Sequence, residues 1–203
     1  MIVRQTPLAG AFVIEPELHC DERGFFTRTF CRETLAERGI AIDVVQCNLS
    51  QNHVRGTLRG MHFQLEPHAE QKLVFCVRGA VFDVIVDLRS DSPTRGQWHA
   101  VELTADNRCI LYIPQGIAHG FQTLADDTEL FYQMGQNYSP AHARGFRYDD
   151  PAIGIDWPLP VRCISERDRK FGPAPEFRNQ IKTCQNTTAS ATRAAAMIEG
   201  AIS

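Results

Sequence analysis

The chain has 203 residues, of which 43% are hydrophobic and 22% are charged, an ordinary globular composition that excludes a disordered chain and a collagen-like fibre. Lys and Arg total 21 against 24 Asp and Glu, which gives a formal net charge of −3. A nucleic-acid binder that relies on surplus positive charge is therefore not expected. An anionic ligand would have to be bound by a few well-placed arginines.

The seven cysteines are dispersed along the chain, and no two of them have the C-x-x-C spacing of a thioredoxin or zinc motif. The first residues lack the apolar stretch of a signal peptide, and no run of about 18 apolar residues predicts a membrane span. We therefore expect reduced thiols, a cytoplasmic location and no membrane partner.

Alternation of apolar and polar residues with a period of two dominates the chain and predicts short strands. In chain order, the strand candidates are residues 11–14, 24–30, 44–50, 59–64, 72–77, 81–88, 98–103, 109–113, 120–123 and 128–134. One helix is predicted at residues 32–38, where Gly39 would end it. Strands at this short, regular spacing predict an all-β fold, a sandwich or barrel of antiparallel sheets with a few short helices.

The strand candidate 81–88 has one apolar face and one acidic face. Asp83 and Asp87 share a face, which predicts a half-buried strand with both carboxylates on the polar side. The opposite face contains Phe82, Val84, Val86 and Leu88.

The composition changes near Pro173, after which the chain loses the strand pattern and becomes rich in Ala, Thr, Asn and Gln. We therefore divide the chain into a domain of residues 1–172 and a weakly ordered C-terminal appendage of residues 173–203. Residues 194–202 are the one candidate for a short helix in this appendage.

Two segments resemble the two sequence motifs of the cupin superfamily, small double-sheet jelly-roll barrels with a ligand inside the barrel. The first begins at Gly56 and the second, residues 114–120, contains His119. In the first, His62 keeps the usual spacing, but Gln64 replaces the second histidine and Lys72 stands where an acidic metal ligand would be.

The lysine argues against a metal site, because an ammonium group beside a divalent ion opposes its binding electrostatically. We therefore expect no metal at His62 and His119, although two inward-facing histidines on their own would leave one open. A hydrogen-bonded core histidine is the alternative interpretation of His62. Lys72 weakens that alternative, because lysines are seldom turned into a core without a task.

Seven segments resemble the dTDP-4-dehydrorhamnose 3,5-epimerase family, in the family's order and spacing over residues 1–172. They are residues 21–26, 46–50, 58–64, 114–121, 144–151, 155–158 and 165–168. The resemblance implies a cupin-type barrel and an isomerase of dTDP-rhamnose biosynthesis. The implied enzyme converts dTDP-4-dehydro-6-deoxy-D-glucose to dTDP-4-dehydro-L-rhamnose.

The resemblance also implies the roles of four catalytic residues. His62 matches the family's base, Asp168 the carboxylate that orients its imidazole, and Tyr132 the proton donor. Lys72 matches the cation beside the C4 oxygen. Since the C4 carbonyl acidifies the protons on C3 and C5, inversion through an enolate needs a base, an acid and a positive group, and the resemblance implies no cofactor.

A nucleotide site and a homodimer are implied in the same way. The substrate-binding residues that the resemblance implies are Arg23, Phe26, Gln46, Asn48, Arg59, His119 and Tyr138. Arginines suit the diphosphate, and Tyr138 would stack on the thymine ring. In the implied dimer the N-terminal strand is exchanged, so that Arg23 and Phe26 serve the partner's site. Strict alternation would point Arg59 away from His62, and a bulge or twist at Gly60 would reconcile the two.

Alternatives remain open at several of these residues. Without the resemblance, Tyr132 would be interpreted as a core tyrosine and Asp168 as one charge in a solvated run. Arg23 and Arg59 would be interpreted as members of surface ion pairs.

The chain also departs from the family's pattern. Arg28 and Ala143 stand at positions that are often acidic in the family, which leaves open the exact nucleotide, the exact sugar and the number of carbons inverted. The alternative functions are a 3-epimerase acting on a related sugar nucleotide, a metal-dependent cupin enzyme and a non-catalytic sugar-binding barrel.

Overall fold

A computed structural model describes residues 1–174 of the chain, which form fourteen strands and two short helices. The strands are β1 (Ile2–Gln5), β2 (Phe12–Glu15), β3 (His19–Asp21), β4 (Gly24–Phe26), β5 (Gln46–Asn52), β6 (Thr57–Gln64), β7 (Lys72–Arg78), β8 (Ala80–Asp87), β9 (Trp98–Thr104), β10 (Ile110–Ile113), β11 (Ile117–Thr123), β12 (Thr128–Met134), β13 (Ala143–Gly145) and β14 (Cys163–Ile164). The helices are α1 (Arg32–Ala36) and α2 (Glu166–Arg169). Neither of these helices has the length and apolar character needed to span a membrane.

The strands form two large sheets and one separate hairpin. The first sheet has the order β1-β2-β10-β7-β12-β5, and the second has the order β13-β6-β11-β8-β9. Strand β14 runs parallel to β6, whereas every other pairing among the described strands is antiparallel, including the β3–β4 hairpin. The predicted all-β, double-sheet jelly-roll class is confirmed, and the sheets are not closed into one barrel.

Apolar side chains fill the space between the two sheets and also cover much of their outer faces. The central core contains Leu8, Ala11, Val74, Cys76, Val81, Ile85, Leu103, Leu111, Ile113, Ile117, Phe121 and Leu130. On the outer face of the first sheet, Leu35 of α1 and the following Ile40 pack against Leu73. On the outer face of the second sheet, Phe146 and Ile153 pack against Val84 and its neighbours.

Most predicted strands are present with ends shifted by one to three residues, and residues 128–134 match β12 at both ends. The predicted strand 24–30 ends at Phe26, and the predicted helix 32–38 ends at Ala36. Strands β1, β3, β13 and β14 and helix α2 were not predicted. Apart from residues 173 and 174, the predicted appendage, with the helix candidate at 194–202, lies outside the described residues.

The prediction for the strand 81–88 is wrong in one respect. Asp83 and Asp87 of β8 are both completely buried, so this strand is not half-exposed. The acidic face also contains Val81 and Ile85, which belong to the central core, and it therefore points between the sheets. The opposite, apolar face is covered by the segment after β13, which the alternation pattern does not reveal.

The bulge that would reconcile Arg59 with His62, a point that the sequence leaves open, is present at Gly60. His62 of β6 lies opposite His119 of β11, but Arg59 lies opposite Phe121, so β6 has one extra residue in this stretch. Gly60 has a φ of 138°, and a Cβ there would lie 2.6 Å from the Cα of Gly120. Only glycine fits this close strand approach, and the bulge turns Arg59 and His62 toward the same side.

Candidate active site

A polar cavity of about 290 Å³ lies between the two sheets at this bulge. The predicted site residues that line it are Asn48, Arg59, His62, Lys72, His119, Tyr132 and Tyr138. They come from both sheets, with His62 on β6 and Tyr132 on β12, so groups on the two walls face each other across the cavity. The fold therefore assembles most of the predicted site from segments far apart in the sequence.

His62 is hydrogen-bonded to Asp168, a pairing that the family resemblance implies. The His62 Nε2 atom lies 2.7 Å from Asp168 Oδ1, and the imidazole is partly exposed to the cavity. Asp168 lies on α2, where its backbone N–H donates to the Ser165 hydroxyl oxygen at 3.0 Å. Its second carboxylate oxygen accepts from the Gly60 backbone N–H at 3.2 Å. The short helix and the bulge together fix the carboxylate behind the imidazole.

The Asp168 carboxyl group remains ionised despite its burial. Burial by itself raises the pKa of Asp168, but the hydrogen bond and charge of His62, with the bonds from Gly60 and Ser165, leave this pKa below its ordinary value. A carboxylate held in this state accepts the His62 N–H and stabilises a positive charge on the imidazole. His62 can therefore accept a proton from a ligand in the cavity.

Tyr132 projects into the cavity from the opposite sheet, on the same strand face as Leu130 and Met134. Burial raises the pKa of the Tyr132 phenol, and the nearby Ser50 hydroxyl, with its oxygen 3.5 Å from the phenol oxygen, offsets this only in part. The phenol is therefore protonated at neutral pH and can donate a proton. Its ring also meets the His119 ring edge-on, at a centroid distance of 6.3 Å.

Lys72 is nearly buried, at the start of β7, and lies beside Met134 of β12. Its Nζ atom is 2.7 Å from Oε1 of Glu70, and both residues line the cavity. The carboxylate compensates the cost of placing an ammonium group in this partly desolvated position and fixes its location. The cavity thus contains an ammonium group whose position is fixed by a carboxylate.

His119 forms a second imidazole–carboxylate pair. Its Nε2 atom lies 2.8 Å and 2.9 Å from the two carboxylate oxygens of Asp83, and both residues are buried. Because Nε2 faces Asp83, only the rest of the ring is available to the cavity that His119 lines. The buried Asp83 carboxylate therefore has a defined partner and fixes the imidazole.

Four of the predicted nucleotide-binding residues lie at the cavity or directly beside it, namely Gln46, Asn48, Arg59 and Tyr138. Gln46 and Asn48 lie on the same face of β5, where Asn48 is paired with Tyr132 of β12. The side-chain amide of Gln46 donates to that of Asn48 at 2.9 Å. Gln46 Oε1 accepts from the Tyr138 backbone N–H at 3.3 Å, while the Tyr138 side chain is exposed. Arg59 donates through Nε to Asn52 Oδ1 at 2.7 Å. An exposed aromatic ring beside amides and a guanidinium suits a base joined to phosphates.

Four predicted residues are not among those that line this cavity. Gln46 and Asp168 lie directly behind lining residues, to which their side chains are bonded, whereas the other two are remote from it within one chain. Arg23 and Phe26 lie in the exposed β3–β4 hairpin, where Arg23 is paired with Asp21. The Phe26 side chain is 72% exposed. Within one chain, therefore, the hairpin does not contribute them to the site.

Several cavity residues were missed by reasoning from the sequence. They are Ser50, Glu70, Arg144 and Arg167, which line the cavity, and Asp83, which holds His119. Arg167 was detectable, because it lies next to Asp168 in the last matching segment. Glu70 gave no signal, since one acid two residues before a lysine is common on any surface.

Neither a set of metal ligands nor cavity volume identifies the site. Within residues 1–174, no three His, Cys, Asp or Glu side chains are grouped so that they could bind a metal ion. A larger cavity of about 430 Å³ is lined largely by apolar side chains, including Phe63, Leu88 and Phe146. Its described lining includes none of the four predicted catalytic residues, so we assign the site by its chemistry rather than by its volume.

Comparisons with known proteins agree with the geometry. Residues 5–176 match the family model described as dTDP-4-dehydrorhamnose 3,5-epimerase. The chain is 46% identical over 175 residues to the dTDP-4-dehydrorhamnose 3,5-epimerase of Methanothermobacter thermautotrophicus, covering 85% of this chain and 94% of the relative. It is 41% identical over 194 residues to the dTDP-4-dehydrorhamnose 3-epimerase of Streptomyces niveus, covering 93% of each.

A solved structure shares the fold. The crystal structure of dTDP-4-dehydrorhamnose 3,5-epimerase from Bacillus anthracis, with TDP and PPi bound, superposes with a TM-score of 0.83 at 40% identity. The match covers 85% of this chain and 99% of that one.

Proposed function

The chain belongs to the dTDP-4-dehydrorhamnose 3,5-epimerase family, and from that premise we propose that it inverts both C3 and C5 of dTDP-4-dehydro-6-deoxy-D-glucose. The product is dTDP-4-dehydro-L-rhamnose, so the enzyme is an isomerase. The observation that supports this proposal best is the placement of the Asp168-bound His62 on one wall of the cavity and Tyr132 on the opposite wall.

The proposed reaction consists of proton transfers at carbon. His62 takes the proton from a carbon next to the C4 carbonyl, and the electron pair of the broken C–H bond forms the enolate, which places negative charge on O4. The ammonium group of Lys72 stabilises that charge. Tyr132 then gives its proton to the same carbon from the other face, which inverts the centre. The imidazolium proton returns through solvent to the tyrosinate, and the cycle repeats at the second carbon.

Each proposed role follows from a physical property of the side chain. The raised pKa of Tyr132 keeps its proton available, and the lowered pKa of Asp168 keeps its charge available to the imidazolium. Neither step consumes an oxidant or reductant, because the substrate carbonyl accepts the electron pair. We therefore propose that no cofactor takes part.

We assign the nucleotide to the mouth of the cavity. Arg59 would bind the diphosphate, Gln46 and Asn48 the nucleoside, and the exposed Tyr138 ring would stack on the base. His119, held by Asp83, would contact the sugar. Binding of a diphosphate by a few arginines is also compatible with the formal net charge of −3.

Inversion of C3 alone is the second candidate, because the 3-epimerase of Streptomyces niveus is 41% identical to this chain. Both reactions use the same base, acid and cation, so the catalytic residues do not separate them. The departures from the family pattern at Arg28 and Ala143 also leave open how many carbons are inverted. Of the two, Ala143 lines the cavity, where it presents only a methyl group.

The function is tested by incubation with dTDP-4-dehydro-6-deoxy-D-glucose in deuterated water. Deuterium at both C3 and C5, with formation of the L-rhamno product, is the expected result. Deuterium at C3 alone would select the 3-epimerase. No incorporation into any 4-keto sugar nucleotide would exclude both. A metal analysis of protein purified without chelator, together with turnover in the presence of chelator, addresses the metal-dependent cupin alternative.

We further propose a homodimer in which the β3–β4 hairpin completes the partner's site. Phe26 and Phe25 are 72% and 49% exposed within one chain, and Leu49 on the outer face of the first sheet is 61% exposed. Such apolar exposure on a hairpin and a sheet face favours burial against a second copy. Arg23, which lies on the hairpin between β3 and β4, would then reach the diphosphate of the partner.

Subunit mixing tests this exchange directly. Arg23→Ala and His62→Ala chains should each be nearly inactive alone. In a mixed dimer, one site would combine His62 from one chain with Arg23 from the other, so a co-refolded equimolar mixture should recover about a quarter of the parent activity. Recovery of none, from a mixture shown to contain mixed dimers, would contradict the shared site.

A further inference from the structure

The space beside the His62 imidazole is occupied by Phe171, which lies just after the helix that contains Asp168. The two ring centroids are 5.9 Å apart, and the ring planes meet at 72°, an edge-to-face contact. Asp168 contacts the same imidazole through its carboxylate, at 2.7 Å from Nε2. One short segment thus contacts the imidazole twice, once through a charge and once through an aromatic ring.

Gly145 explains why the Phe171 ring can lie there. Gly145 of β13 is directly opposite His62 of β6, so a side chain at position 145 would stand beside the imidazole. A Cβ built at Gly145 would overlap the Phe171 ring, with only 2.5 Å to Cζ. The glycine leaves the neighbouring position on the strand empty, and the ring from a different segment fills it.

The segment around Phe171 is fixed by backbone hydrogen bonds, so the ring does not depend on packing alone. The Gly172 carbonyl accepts from the Arg147 N–H at 2.9 Å, and the Ala174 N–H donates to the Asp150 carboxylate at 2.6 Å. The Arg167 guanidinium, which lines the cavity, lies 5.7 Å from the centroid of the Phe171 ring. The ring is therefore in contact with a cavity cation and with the imidazole.

We propose that Phe171 is a positioning residue, which together with Asp168 holds the His62 imidazole in the orientation that proton abstraction requires. Gly145 is the residue that makes room for it. The proposal rests on the proposed function, because it takes His62 as the base. Phe171 transfers no proton, and its effect should fall on kcat rather than on KM, since orientation matters most in the transition state.

The test compares Phe171→Ala with Phe171→Leu in steady-state epimerisation and in deuterium exchange. In Phe171→Ala we expect kcat to fall about tenfold while KM stays within about twofold, because the imidazole gains alternative orientations. Phe171→Leu refills most of the space and should recover most of the lost kcat. Phe82→Ala is the matched control, since it removes an aromatic contact with Trp157 on the covered outer face of the second sheet. It should lower stability without lowering kcat.

A spectroscopic measurement separates orientation from general damage to the fold. With ¹⁵N-labelled histidine, and the His62 signal assigned through His62→Ala, the parent should show one set of ring resonances with Nε2 bonded to a carboxylate. Phe171→Ala should shift or broaden this set, and Phe171→Leu should restore it.

Gly145→Ala provides a second route if Phe171→Ala is unstable. Its methyl group would lie 2.5 Å from Phe171 Cζ and 2.7 Å from the Met61 carbonyl oxygen, so the ring must move and kcat should fall, and the fall should be smaller when Phe171 is already leucine.

The outcomes that overturn the proposal are distinct from those that overturn the proposed function. If the parent exchanges no deuterium, the function is wrong. If the parent exchanges and folded Phe171→Ala keeps its kcat within about twofold, with an unchanged His62 resonance, the positioning role is wrong. Equal loss of kcat in the leucine and alanine variants would also contradict it.

Discussion

His62 and His119 are direct cross-strand neighbours on β6 and β11, and each has its Nε2 atom bonded to a different aspartate. Their surroundings differ. The His62 side chain is 38% exposed toward the cavity, whereas the His119 side chain is only 5% exposed. We therefore propose different tasks for the two imidazole–carboxylate pairs, proton transfer for His62 and contact with a bound sugar for His119.

Separate roles for base and acid predict different results for His62→Ala and Tyr132→Phe. Removal of the base should abolish deuterium exchange, a loss of about 10²- to 10⁴-fold. Removal of the phenol proton should slow inversion but leave measurable exchange, because the imidazole still abstracts the proton. Exchange and product formation are followed by NMR in deuterated water. Complete loss of exchange in both variants would contradict the division of roles.

The carboxylate behind the imidazole predicts that Asp168→Asn lowers kcat by about tenfold or more, with little change in KM. The amide keeps the size of the side chain but removes the charge that stabilises the imidazolium. Glu166→Gln is the matched control on the same helix, where the Glu166 side chain is 88% exposed. Steady-state kinetics of both variants provide the comparison, and equal kinetics would indicate that the His62–Asp168 bond is only structural.

The pairing of Lys72 with Glu70 predicts that Glu70→Gln lowers kcat about fivefold, because exchange of a charge-assisted bond for a neutral one costs about 1 kcal/mol. The amide no longer holds the ammonium group as firmly beside O4. Glu66→Gln, an exposed carboxylate in the same loop, is the control. A Glu70→Gln variant with parental kcat would show that Lys72 keeps its position without this partner.

The buried Asp87 predicts a loss of stability in acid. Burial raises its pKa, but hydrogen bonds from Arg89, Ser92 and Thr94 outweigh this and lower the pKa to about 2 from its ordinary 3.8. Since the pKa is lower in the folded state, its stabilisation, about 2 kcal/mol, is complete well above pH 4 and disappears as the pH falls toward 2.

Urea unfolding of the parent and of Asp87→Asn between pH 6 and about pH 2 measures this contribution. The variant should be less stable at pH 6 and show a flatter pH dependence in acid. The same slope in both proteins would assign the acid sensitivity to other carboxylates.

Individual residues show best how much of the fold can be predicted from the sequence. The alternation in β12 correctly placed Tyr132 on the inner face, because that strand is regular from end to end. The same reasoning placed Asp83 in solvent, and it failed because the outer face of the second sheet is covered by a segment some sixty residues later, around Phe146. An alternation pattern shows that two faces differ, but not which of them is inside.

Side-chain pairs between distant segments were inferable only in part. Asp168 was singled out by its resemblance to a family pattern, and not by its charged surroundings, which are typical of a solvated run. The contacts of Glu70 with Lys72 and of Phe171 with His62 depend on how a loop and a chain segment fold back over the strands. Such contacts are set by tertiary packing and leave no local period in the sequence.

The bulge at Gly60 fixes the spacing of Arg59 and His62 along β6, and with it the length of a ligand that can contact both. Arg59 and His62 are three residues apart on β6, but the bulge pairs them with Phe121 and His119, which are only two residues apart, so the strand advances about 7 Å between them. The spacing of these two backbone positions is fixed, because β6 is paired with β13 on one side and β11 on the other. A change of side-chain rotamer does not alter it. If Arg59 binds the diphosphate, as we propose, we expect a sugar joined through a single phosphate to place its C3 and C5 away from His62. Adaptation to such ligands would require remodelling the strand rather than exchanging a side chain.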